Sequence, residues 1–135
     1  MADAIDLEKR AKELRVAEDR RKEATDSKAQ ADVELLNRVL RSIASVLPLI
    51  CQQAPGGQKA GIELVPGKAE STLYADGELD EEPLCLVNHY SIRAMLETLA
   101  QAIEKQEQSR TKAAEKAERY AAKVRLILAM LRENL

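Results

Sequence analysis

The chain has 135 residues, enough for one ordinary domain, yet it holds no Phe or Trp and only three Tyr, so any core must be built from Leu, Ile, Val and Ala. A third of the residues are charged and the formal net charge is -2, which excludes the strongly basic profile of a dedicated nucleic-acid binder. The longest apolar run, Val46 to Cys51, contains Pro48 and falls far short of the ~20 residues needed to cross a bilayer, so no membrane span is expected.

The acidic start, Met1-Ala2-Asp3-Ala4-Ile5-Asp6, has neither the basic n-region nor the apolar h-region of a signal peptide. A soluble intracellular protein is expected, cytoplasmic or part of an intracellularly assembled particle. Cys51 and Cys85 then read as reduced thiols, with a disulfide between them only in an oxidising compartment.

Residues 1–54 read as a long N-terminal helix. No Gly or Pro interrupts the chain from Asp3 to Val46, and acid-first pairs sit four residues apart: Asp6 with Arg10, Glu8 with Lys12, Glu18 with Lys22, Glu34 with Arg38. Its apolar stripe is thin at first (Leu7, Leu14, Ala17, Ala24, Ala31, broken by Arg21 and Lys28). It widens from Val33 through Leu36, Leu40 and Leu47. Pro48 disfavours helical geometry at Leu47, so the helix should end or kink there, and Ala54-Pro55-Gly56-Gly57 closes the segment.

Residues 55–90 read as a linker and a small β element at the turn. Ile62–Val65 and Ser71–Tyr74 flank Pro66-Gly67, the pair a tight turn wants, and Leu84–Val87 is a candidate third strand after the Asp76-Gly77 turn. Residues 91–135, capped by Asn88 or Ser91, form a second long helix with a heptad seam. Its positions run Ile92, Leu96, Leu99, Ile103, Gln106, Arg110, Ala113, Ala117, Tyr120, Val124, Ile127 and Leu131. The fold class that follows is mainly α. It is a long antiparallel, coiled-coil-like helical hairpin, with a β-hairpin or three-stranded element at its turn and Ala24 opposite Ala117.

Charge divides along the chain. Residues 61–97 carry eight acids against Lys68 and Arg93, a net of -6, whereas residues 8–28 carry +2 and residues 104–125 carry +3. The run Glu78, Asp80, Glu81, Glu82 reads as a solvated loop or an acidic docking surface. It begins like a calcium loop, but Glu81 stands where the sharp turn needs Gly and Val87 where a bidentate Glu is needed.

No catalytic, cofactor or metal set emerges. His89 is the only histidine, and Cys85-x-x-x-His89 with Cys51 lacks the paired short spacings of a structural zinc site. Gly56-Gly57-Gln58-Lys59-Ala60 lacks the Ser or Thr of a phosphate-binding loop. The basic series Lys105, Lys112, Lys116, Arg119 and Lys123 is interspersed with Glu and lacks stacking aromatics, so it reads as a solvated face rather than a nucleic-acid site.

The predicted function is therefore a non-enzymatic assembly or adaptor protein, a structural component of a larger particle among the options, that self-associates as a dimer or higher oligomer and docks a protein partner. The interface residues expected are Leu36, Leu40, Leu47, Leu96, Leu99, Leu126, Leu128, Met130 and Leu131, because two helices alone cannot bury both wide faces. The layout is similar to that of prefoldin subunits, a likeness of architecture that carries no residues across and implies a holdase chaperone as the alternative. The other alternative is a small regulatory or inhibitor protein that binds either a basic partner, through its acidic segment, or a nucleic acid, through its basic arms.

Overall fold

The computed structural model describes residues 3–51 and 59–133. The chain is mostly helical with one small antiparallel sheet. In order come α1 (Ala4–Ser42), α2 (Leu47–Ile50), β1 (Gly61–Glu63), β2 (Thr72–Tyr74), α3 (Pro83–His89) and α4 (Ile92–Glu133). The closing segment expected at Ala54–Gly57 lies outside the described residues.

Helix α1 starts where Asp3 accepts a hydrogen bond from the Asp6 amide at 2.9 Å, satisfying one of the orphan donors of the first turn. Of the acid-first pairs, Glu18 reaches Arg21 at 2.7 Å, one residue short of the expected Lys22, and a base-first pair joins Lys28 to Asp32 at 2.9 Å. The helix ends at Ser42, earlier than Pro48 suggested. The Ser42 hydroxyl bonds back to the Arg38 carbonyl at 2.9 Å, and a 3-10 turn over Ala44–Val46 redirects the chain. Leu47 is helical despite the proline after it, because Pro48 sits in the first turn of α2, where a missing amide hydrogen leaves no bond unmade.

The predicted hairpin is present. β1 pairs with β2 in the register Gly61 with Tyr74, Ile62 with Leu73, Glu63 with Thr72. The Lys68 amide bonds the Val65 carbonyl at 3.0 Å across Pro66-Gly67, and Gly67 has φ +84°, the positive value a type II turn requires. Ser71, fully buried, clasps the loop: its Oγ accepts from the Val65 amide at 3.0 Å and donates to the Lys68 carbonyl at 2.6 Å. The third strand is not Leu84–Val87. That stretch is α3, begun by Pro83 in its first turn with Leu86 and Val87 turned into the core. The acidic stretch takes the strand's place, with Leu79 bridging to Leu73 and the Asp80 amide bonding the Thr72 carbonyl at 3.0 Å.

These elements form a head around one core: Leu36 and Leu40 of α1, Leu47 and Ile50 of α2, Cys51, Leu64, Leu73, Leu86 and Val87 of α3, and Met95 and Leu99 of α4. Ser91 caps α4, accepting from the Ala94 amide at 3.3 Å, and Asn88 falls inside α3. Outside the head both long helices are bare. Residues 4–28 are exposed except half-buried Glu18, and residues 104–133 are exposed except Gln106, Ala121 and Val124. Ala24 and Ala117, expected to face each other, are both open, so the close hairpin seam is not formed within the single chain.

This division predicts how stability is distributed. Leu36→Ala removes a side chain that is 0% exposed and should lower unfolding stability by roughly 2–5 kcal/mol in a urea titration at high dilution. Leu14→Ala, at a position 71% exposed, should leave that curve almost unchanged.

Candidate docking surfaces

The expected interface residues separate into two groups. Leu36, Leu40, Leu47 and Leu99 belong to the head's own core, and Leu96 is half-buried against it, so these five are occupied within the chain. Leu126, Leu128, Met130 and Leu131 stand open on the last turns of α4 with Tyr120 and Ile127; Leu126 is 63% exposed and Tyr120 is 70% exposed. The local sequence makes this tip basic as well as apolar. From Arg119 to Arg132 there are four bases (Arg119, Lys123, Arg125, Arg132) and no acid. At helical spacing Tyr120, Val124, Ile127 and Leu131 share one stripe, with Arg119 and Lys123 on one flank and Arg125 and Arg132 on the other.

The second surface is a groove of about 800 Å³ on the head. One wall is the C-terminal part of α1 with the turn after it (Glu34, Asn37, Leu40, Arg41, Ala44), and the other is the acidic stretch from Asp76 to Pro83. The hairpin positions that stretch. Tyr74 donates its hydroxyl to Asp80 at 3.0 Å, and Lys59 reaches Glu78 at 3.1 Å and Asp76 at 3.4 Å. Donating hydrogen bonds to Glu78 foremost and to Asp76 holds the Lys59 ammonium above its usual range. Of the four acids expected to form a docking surface, Asp80, Glu81 and Glu82 line the groove, and Glu78 sits beside it on Lys59. Glu34, on α1, joins them. Sequence reasoning missed it because nothing local places α1 across from the acidic stretch.

A smaller hollow gathers Glu70, Glu81, Cys85, His89 and Tyr90. It resembles a nucleophile with its base, but its hydrogen bonds point elsewhere. His89 Nδ1 lies 2.8 Å from the Cys85 carbonyl, an atom that only accepts, so Nδ1 carries the proton and cannot take one from the thiol 3.7 Å away. The Glu81 carboxylate pushes the Cys85 thiol up, opposite to the activation a nucleophile needs. Cys51 is buried, with its thiol 3.6 Å from the Leu73 carbonyl, and burial pushes it up too. Both cysteines are free thiols. Tyr90 donates to the Glu70 carboxylate, which holds Glu70 low and pushes Tyr90 up to about 12.

Among the described residues no group of three or more His, Cys, Asp or Glu could hold a metal ion, and no helix is long and apolar enough to cross a membrane.

Two outcomes follow for these side chains. Glu81→Gln should speed alkylation of Cys85 near neutral pH, because removing the carboxylate stabilises the thiolate; mass spectrometry of a timed iodoacetamide reaction reads this. The Tyr90–Glu70 bond contributes stability above the ordinary carboxylate range that is lost as pH falls through the depressed Glu70 value. Tyr90→Phe should therefore flatten the acid limb of a melting-temperature profile. No protein-family model, curated protein or solved structure matches the chain.

Proposed function

We propose that this chain is a non-enzymatic assembly or adaptor protein that self-associates through its two helical arms, in coiled-coil fashion, and presents its head for docking. The observation that carries this reading is the bare heptad seam of α4 beyond the head. Most helical stability in proteins comes from packing an apolar face, and an isolated helix has only local bonds to sustain it. Tyr120, Ile127 and Leu131, in one continuous 42-residue helix, form a stripe whose period suits a helical partner. The arm of α1 adds Ile5, Leu7, Leu14 and Val16, all exposed. Patches of this kind on soluble chains mark contact sites.

The open tip also favours a second reading as a holdase, since exposed Leu126, Leu128 and Met130 are the kind of surface an unfolded client binds. The two readings part on concentration. Light scattering coupled to size exclusion should give a mass well above the 15.0 kDa of one chain, falling on dilution. A single-chain mass at every concentration would sink the self-association reading. Changing the seam residues Tyr120, Ile127 and Leu131 to Ser should then yield a folded monomer, whereas Leu126, Leu128 and Met130 are the positions to change for the holdase reading. A holdase would instead lose its suppression of client aggregation while its own mass stayed the same.

A further inference from the structure

Building on the self-association reading, we infer that two copies pair antiparallel, the basic tip of each α4 seated in the acid-rimmed groove of the other copy's head.

The groove and the tip match in chemistry. Ala44, Leu79 and Pro83 supply apolar lining over the buried Leu40 and Leu47 at its floor, while Glu34, Asp76, Asp80, Glu81 and Glu82 stand against Arg41, a net of -4. Lys59, paired with Asp76, reduces this by one. The tip, residues 119–133, brings four bases and Glu133, a net of +3, and an apolar stripe between its two basic flanks. Long Lys and Arg stems can lie along apolar surface while their charged ends reach a carboxylate rim.

Reach makes the contact intermolecular. Helix α4 runs unbroken from Ile92 to Glu133 and its last residue packed on the core is Ile103, so Arg119 lies 16 residues, roughly 24 Å, beyond the head at 1.5 Å per residue. A chain cannot fold its own tip back into its own groove. A second copy laid antiparallel can deliver it: with residues 104–118 of the two bare arms overlapped, each tip, through residues 119–132, runs past the partner's arm and alongside its residues 90–103, in the head.

Charge chooses the direction. Parallel pairing would set tip against tip, +3 on +3, and head against head, where residues 61–97 carry -6 each. Antiparallel pairing replaces both repulsions with attractions, and like charges across an interface disfavour the wrong arrangement. A two-fold antiparallel pair also makes the same contact twice and leaves no tip free, so the assembly closes as a dimer.

The test uses the full chain and exchanges charges at exposed positions that hold no structural hydrogen bond. The tip variant is Lys123→Glu with Arg125→Glu. The head variant is Glu34→Lys with Glu82→Lys, and a third protein combines all four changes. Circular dichroism first establishes that each keeps its helix content, and light scattering across a dilution series then gives the dimer dissociation constant. Each pair alone should raise that constant by about tenfold or more, and raised salt should weaken the parent. The combined protein, its charges swapped, should return to within roughly threefold of the parent. If the parent associates but neither pair changes the constant, or the combined protein is weaker than either, the tip-in-groove contact is wrong and self-association stands. If the parent is a monomer throughout, both fall together.

Discussion

Leu73 is the residue on which the head depends. It is 0% exposed, pairs with Ile62 on one side and bridges Leu79 on the other, and its carbonyl receives the Cys51 thiol from the end of α2. A two-stranded hairpin is marginal in water by itself. Here one leucine ties the hairpin to the acidic stretch and to the helix that leaves α1, so strand pairing and core burial are formed together. Because the chain lacks Phe and Trp, no large ring spans the interior, and the core closes only where Leu36, Leu64, Leu86, Met95 and Leu99 meet around that strand. The acid-rimmed groove is a by-product of the same arrangement: Leu79 cannot bridge Leu73 without bringing Asp80 to Glu82 across from α1.

The parts of this structure legible in the sequence are those set by local chemistry. A run without Gly or Pro made α1 a helix, the heptad seam made α4 one, and Pro66-Gly67 made a turn with φ positive at the glycine. Leu84–Val87 was misread because a short apolar run has no period that separates strand from buried helix. Pro83, suited to a first helical turn, was the available signal. The break at Ile43 left no mark of its own, since it follows from the need to turn Leu47 and Ile50 inward.

Interface and core were harder to separate. Leu36, Leu40 and Leu99 have the same helical spacing as Leu128 and Leu131, and periodicity says that a face is covered without saying by what. Three-dimensional placement divides them, with the first three inside the head and the last two beyond it. Glu34 shows the converse. It looks like an ordinary exposed helix acid until the fold sets it across the groove from Glu81 and Glu82.

The arms are graded along their length, and the grading has a consequence for the self-association proposed. The middle of each seam holds small or polar residues: Ala17, Arg21, Ala24 and Lys28 on α1, Gln106, Arg110, Ala113 and Ala117 on α4. Small residues bury little apolar area, so this stretch adds little affinity, and in the single chain Arg21 and Lys28 are drawn into pairs with Glu18 and Asp32 on their own helix. A polar residue at a seam position penalises any register that leaves it without a partner. The tip, by contrast, gathers large aliphatic side chains within three turns. In the proposed self-association, affinity would then reside at the ends of the arms and register in their middles, and a contact built this way would tolerate changes in mid-arm apolar area while depending strongly on what the tip meets.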